Sequence, residues 1–231
     1  MKRAIITDIE GTTTPIAFVK DVLFPYARAH IATFISAKRG NADVERALAE
    51  VATGIGCATT EEARLARTLI EWIDADSKAT ALKSLQGMIW ADGYAGGALH
   101  ATVYPDAAVA LRRWHAAGSA LFVYSSGSVQ AQKLLFAHSD QGSLLPLFSG
   151  YFDTAVGGKR DQASYLKIAT QLQRPPAEFL FLSDVTAELD AARAAGMATC
   201  WIVRSNDISP SADELAASTH PIANDFAQVQ V

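Results

Sequence analysis

Asp8-Ile9-Glu10-Gly11-Thr12 sets two carboxylates on the same side of an extended or tightly turned segment, with a glycine and a threonine following to turn the chain. Such a pair can divide the work of ester hydrolysis. Asp8 attacks phosphorus and carries it as an aspartyl phosphate, while Glu10 gives a proton to the leaving oxygen and later takes one from water. Most acid-x-acid pairs are solvated surface, but this one directly follows the apolar run Ala4-Ile5-Ile6-Thr7. Attack by a carboxylate on a phosphate dianion brings like charges together, so the site needs a divalent cation and fixed positive dipoles. Magnesium, which prefers hard oxygens and keeps several waters, is satisfied by Asp8 and Asp184 with a backbone carbonyl from Glu10. Glu188, four residues beyond Asp184, either holds a metal-bound water or is simply an acid well placed near a helix N-terminus.

Two further groups suit an anionic substrate. Ser125-Ser126-Gly127-Ser128 lies between a strand and a helix and offers hydroxyls, backbone N–H groups and a helix dipole to an anion, although a serine N-cap accounts for it equally well. Lys159 follows Gly157-Gly158 and precedes a helical pattern, from where its ammonium can reach both a phosphate oxygen and the nucleophile.

Positioning these residues falls to four apolar runs that read as strands buried on both faces: residues 4–7, 120–124, 179–182 and 199–203. Helical patterns at 105–117, 129–138, 162–172 and 187–195 alternate with them, which argues for a parallel sheet. Asp8, Ser125 and Asp184 each follow a strand, and in an open parallel sheet the carboxyl ends share one ligand-binding edge. The long interval after the first strand breaks the rhythm. It carries helical spacing at 44–51, 61–73 and 79–90, punctuated by Gly54-Ile55-Gly56 and by the glycines at 93–97. The expected organisation is an α/β, Rossmann-like parallel-sheet core of residues 1–17 and 101–231, with a helical cap of residues 18–100 inserted after the first strand. Beyond 203 the chain reads as loop with one short helix at 212–217.

With 231 residues, half of them hydrophobic, the chain can bury a sizeable core without staples. A net charge of −4 provides no overall positive field for nucleic acid. Cys57 and Cys200 lack metal-ligand spacing. The first apolar stretch is too short for a signal-peptide core, and no run approaches the roughly 20 apolar residues of a membrane span. A cytoplasmic protein without nucleic-acid or membrane partners is expected, with the monomer as default.

Together, Asp8-x-Glu10-Gly11-Thr12, the strand-end Ser125, Lys159 and the apolar strand ending in Asp184 resemble, in order and spacing, the sequence motifs of the haloacid dehalogenase superfamily. The longer segment from Asp8 through Thr13, Thr14, Pro15 and Ile16 is similar to the enolase-phosphatase family of methionine salvage, in which glutamate replaces the more frequent second aspartate. The similarity continues through Leu85-Gln86-Gly87-Met88-Ile89-Trp90, the segment from Val123 to Phe136, Tyr151-Phe152-Asp153-Thr154 and the segment from Phe181 to Glu188. The resemblance implies that 2,3-diketo-5-methylthiopentyl-1-phosphate is enolised and then dephosphorylated to an acireductone with Mg2+. It also implies Asp8, Asp184 and Glu10 as metal positions, and Ser125, Ser126 and Lys159 as substrate contacts. Gln86, Gly87 and Trp90 match the cap segment that faces the site, although Trp90 equally suits packing within the insert. A generic phosphatase of the same superfamily is the alternative enzyme. A non-catalytic, metal-responsive binding protein would be the other class, but no substitution here disables the chemistry.

Overall fold

The computed structural model describes residues 3–231; Met1 and Lys2, at the head of the expected core segment, lie outside the described residues. By its internal contacts the chain divides into two units, one formed by the segment up to Phe18 together with His100–Val231, the other by Val19–Leu99. Among the described residues the strands are β1 (Ala4–Thr7), β2 (Leu121–Tyr124), β3 (Phe148–Phe152), β4 (Phe179–Ser183), β5 (Ala198–Ile202) and β6 (Ile222–Ala223). The helices are α1 (Phe24–Ala37), α2 (Ala42–Ile55), α3 (Glu62–Asp74), α4 (Thr80–Ala95), α5 (Pro105–Ala116), α6 (Val129–Ala137), α7 (Gln162–Gln171), α8 (Thr186–Ala194) and α9 (Ala212–Ala217).

In the first unit all strand pairs are parallel, in the order β3-β2-β1-β4-β5-β6. Every residue of β1, β2 and β4 is buried, the reason these strands are written as uninterrupted apolar runs. Ile6 sits between Phe122 and Phe181 in register. From β1 the chain builds outward to β3 on one side, then returns and builds outward from β4 on the other. The strand order therefore reverses beside β1, where an open parallel sheet leaves a crevice at its carboxyl edge.

Residues 148–152 carry no strand signal in the sequence, because β3 is an edge strand that is mostly half-exposed and interrupted by Ser149 and Gly150. Its register shifts opposite Leu121 and Phe122, and a Cβ on Gly150 would stand 3.1 Å from the Phe122 ring. Local chemistry sets the helix starts. Pro105 opens α5 in its first turn, and the Ser128 hydroxyl caps α6 by accepting from Ala131 N–H at 3.3 Å.

The second unit is helical, α1 to α4, reached through a π-helical turn at Phe18–Leu23. Ile31, Ile35, Leu48, Val51, Leu65, Leu69, Leu82 and Leu85 make its core at three- and four-residue spacing. Asn41 caps α2 through Asp43 and Val44 N–H, and Gly56 ends it at φ 64°. Gly93, expected as punctuation, lies inside α4 instead. Its role is steric, since a Cβ there would meet the Tyr26 ring at 2.8 Å. Among the described residues no helix is long and apolar enough to cross a membrane.

Candidate active site

Thr7 ends β1 and Asp8 follows it with 5% of its surface exposed. Its Oδ1 accepts from its neighbour Ile9 N–H at 2.7 Å and from Lys159 Nζ at 2.7 Å. Lys159 donates as well to Glu188 Oε2 at 2.6 Å, and Ser183 at the end of β4 donates to the same oxygen at 3.0 Å. All three charged groups are buried. Burial works to lower the Lys159 pKa, but the Asp8 and Glu188 carboxylates outweigh it, so the ammonium is held charged above its ordinary range. Burial and the Asp8 charge raise Glu188 against the opposing pull of Lys159.

The turn after β1 brings Asp184 to the same place. Thr12 and Thr13 bond back to the Ile9 carbonyl, and the Thr13 hydroxyl reaches the Asp8 carbonyl at 3.2 Å. Thr12 Oγ1 then accepts from Asp184 N–H at 3.1 Å, which stitches the β1 turn to the end of β4. Gly11 is required twice over: its φ is +68°, and a Cβ would lie 2.3 Å from Asp184 Oδ2. Asp184 Oδ1 is buried without a hydrogen-bond partner. Burial first and the Asp8 charge second push its carboxyl up to about 7.

Among the described residues, Asp8 and Glu188 share the Lys159 ammonium, and the half-buried Asp184 adds a third carboxylate at the same strand edge. That negative excess and the orphaned Asp184 oxygen fit a divalent cation, and the hard-oxygen donors match one that retains water. Among the described residues no group of three or more His, Cys, Asp or Glu side chains is placed to hold a metal ion. Asp8 and Asp184 would thus be the side-chain ligands. Glu188 is engaged by Lys159 and Ser183, and Glu10 is exposed beside the turn.

At the end of β2, Ser125 is buried; its N–H bonds the Phe152 carbonyl at 3.1 Å and its hydroxyl accepts from Gly127 N–H at 3.3 Å. Ser126 is exposed. The loop carrying Lys159 is pinned by three hydroxyls: Tyr124 to the Gly157 carbonyl, Ser164 to that of Gly158 and Tyr165 to that of Lys159 itself, at 3.0, 2.8 and 2.6 Å. Gly87 and Gln86, the latter 5% exposed, are buried on α4 of the helical unit. Within that unit Trp90 donates its indole N–H to the Leu23 carbonyl at 2.9 Å and stacks on Phe24.

Residues 2–196 match the family model for haloacid dehalogenase-like hydrolases. The chain is 53% identical to enolase-phosphatase E1 of Thioalkalivibrio sulfidiphilus over the full length of both, and 55% identical to that of Azotobacter vinelandii over 87% of this chain and 89% of the relative. It belongs to the enolase-phosphatase family. The UTR4 protein of Saccharomyces cerevisiae superposes with a TM-score of 0.85 at 33% identity, covering 99% of this chain and all of that one. CbbY of Rhodobacter sphaeroides in complex with phosphate, at 18% identity and a TM-score of 0.57, shares the fold, with 99% of this chain and 96% of its own covered.

This member of the enolase-phosphatase family holds its site with residues the sequence analysis did not single out. Arg204, 5% exposed, donates to the Thr12 carbonyl through Nε and Nη2 at 3.2 and 3.0 Å, and through Nη1 to both Asp106 oxygens at 2.9 Å. Its guanidinium lies 4.1 Å from the Tyr104 ring centroid. Trp201 on β5 donates to the Asp184 carbonyl at 2.9 Å. Gln132, on the buried face of α6, ties the carbonyls of Gly127 and Phe152 together at 2.8 and 2.9 Å. Gln132 had a local signal, a polar residue on an apolar helix face. Arg204 had none, since its partner is 192 positions away.

Proposed function

We propose that this chain converts 2,3-diketo-5-methylthiopentyl-1-phosphate through an enol phosphate to 1,2-dihydroxy-3-keto-5-methylthiopentene and phosphate, in methionine salvage. The observation that carries the chemistry is the buried Asp8 carboxylate held by Lys159 beside the unpartnered Asp184 oxygen. Family membership supplies the substrate.

Asp8 is the nucleophile. Ile9 N–H and Lys159 fix its carboxylate in one orientation, so little reorganisation is needed when its oxygen bonds to phosphorus and the P–O bond to the substrate breaks. Glu10 protonates the departing oxygen and then takes a proton from the water that hydrolyses the aspartyl phosphate. Lys159 balances charge on the phosphoryl oxygens, and Ser125, Ser126 and the N–H groups opening α6 receive them. Asp8, Asp184 and the Glu10 carbonyl would hold Mg2+, with Glu188 in support. When bound it neutralises the carboxylate excess and polarises oxygens of the substrate. In enolisation the carbon proton between carbonyl and phosphate ester leaves to a base, for which Glu10 is the candidate. The sheet unit carries this chemistry, Val19–Leu99 is its cap, and Gln86, Gly87 and Trp90 read the methylthio tail. The enzyme acts as a cytoplasmic monomer.

The test offers the purified protein the diketo phosphate with magnesium or with chelator, following enol and acireductone absorbance alongside released phosphate. Both products should appear with magnesium and vanish in Asp8→Asn. Glu10→Gln should stop enolisation as well as phosphate release. Phosphate release from common sugar phosphates without turnover of the diketone would remove the salvage role and leave a phosphatase.

A further inference from the structure

Gln132 stands on the buried face of α6 with Leu135 and Phe136 and is 1% exposed. Its amide nitrogen commits both hydrogens to main-chain carbonyls, Gly127 at 2.8 Å and Phe152 at 2.9 Å. A carbonyl can only accept, so the NH2 end must face them, and Oε1 is left buried without a partner. An orphaned buried oxygen destabilises the fold, and an apolar side chain of similar length would avoid it. What the amide gains is control of one peptide plane. The Gly127 carbonyl and the Ser128 N–H belong to the same trans peptide and point to opposite sides of it. Holding the carbonyl toward Gln132 therefore turns the Ser128 N–H away from that side chain. The neighbouring donors are occupied: Gly127 N–H by Ser125 Oγ, Val129 N–H by Asp153 Oδ2 and Ala131 N–H by Ser128 Oγ, each at 3.3 Å. Among the described residues no group accepts from the Ser128 N–H. The Phe152 carbonyl also receives the Ser125 N–H at 3.1 Å, so the same amide is tied to both ends of the loop from Ser125 to Gly127.

We propose that Gln132 is a positioning residue for phosphoryl binding, which holds the Gly127 carbonyl so that the Ser128 N–H is presented as a fixed donor to a phosphate oxygen. This role rests on the reading of Ser125 to Ser128 as the loop that receives the phosphoryl group, and it adds the side chain that sets the loop's polarity. Without the amide the Gly127 peptide is free to rotate, and rotation would put the partial negative charge of its carbonyl where the N–H had been. A donor fixed before the anion arrives needs no reorganisation when it binds. Ser128 has φ −60° and ψ 150°. Proline adopts the same φ, so proline at this position removes the N–H and keeps the backbone.

The test is a titration of the full-length protein, in magnesium, with inorganic phosphate, read from assigned amide NMR signals. The parent protein is compared with Gln132→Met, Ser128→Ala and Ser128→Pro. In the parent a saturable shift of the Ser128 amide proton is expected. Gln132→Met should shrink that shift and weaken phosphate affinity about tenfold, while the magnesium dependence of melting stays as in the parent. Ser128→Pro should lose at least as much affinity, whereas Ser128→Ala, which removes the cap hydroxyl and keeps the N–H, should bind phosphate as the parent does. A lowered melting temperature with parental phosphate affinity in Gln132→Met would make Gln132 purely structural and overturn its positioning role alone. If Gln132→Met does not fold, the serine pair decides, because parental affinity in Ser128→Pro would leave Gln132 nothing to position. No saturable response at Ser125 to Ser128 in the parent would instead remove the phosphoryl loop itself, and the role of Gln132 with it.

Discussion

At the scale of single residues, the site is governed by how tightly like-charged oxygens are pressed together. Among the described residues Lys159 is the one ammonium paired with Asp8 and Glu188, and its loop is held by three hydroxyls from buried side chains. Gly11 leaves room for Asp184 beside the β1 turn. Gly11→Ala must adopt a left-handed backbone at a cost of about 1–3 kcal/mol, and its new Cβ displaces the Asp184 carboxylate that now lies 2.3 Å from that position. Displacing a reacting or ligating group by about 1 Å is worth roughly a hundredfold in rate. The variant should therefore fold with a lowered melting temperature and lose about that factor in phosphate release. Full activity would show that Asp184 does not need its present position. The pentapeptide itself was legible, because an acid-x-acid-Gly-Thr run behind a buried strand has few structural explanations. The reason for its glycine was not, since the atom that excludes a Cβ comes from β4's end, far along the chain.

At the scale of elements, two contacts decide how the strand ends are held. Arg204, just past β5, fixes the carbonyl of Thr12, whose hydroxyl in turn receives the Asp184 N–H. Lysine in its place cannot fork to both Thr12 and Asp106. Arg204→Lys should cost about 2–4 kcal/mol in urea unfolding, near the range for breaking a buried ion pair, and should weaken divalent-metal binding as Asp184 loosens. Unchanged metal affinity would restrict Arg204 to a structural role. His220 forms the second contact, between Thr199 of β5 at 2.8 Å and Asp190 of α8 at 3.1 Å. Burial lowers its pKa below the ordinary 6.5, against the upward pull of Asp190. Between that folded value and 6.5 the unfolded chain binds more protons than the folded one, so stability rises with pH through this window and is lost as pH falls through it. His220→Gln should flatten the pH dependence of unfolding in the mildly acid range. A slope identical to that of the parent protein would assign the dependence to other groups. The element pattern was legible wherever burial was two-sided, as in β1, β2 and β4. It failed at β3, where edge exposure and Gly150 erase the apolar run.

For the whole molecule, the buried carboxylates make stability and cation binding one equilibrium. A cation bound by the folded chain alone adds about 2.7 kcal/mol at a hundredfold excess over its Kd. Magnesium should accordingly raise the melting temperature, chelator should reverse the rise, and Asp184→Asn should abolish it. An unshifted melt at saturating magnesium would separate the carboxylate cluster from metal binding.

The sequence by itself determined the parallel sheet, the helical insertion behind the first strand, and the alignment of Asp8, Ser125 and Asp184 behind buried strands. Periodicity and strand burial are local properties, written every two to four residues. The tertiary structure alone decided that Lys159 also binds Glu188, that Asp184 keeps an unpartnered oxygen, and that Arg204 clamps Thr12. Each of these depends on atoms brought together from distant positions at distances of a few ångströms, and side-chain periodicity carries no information at that range.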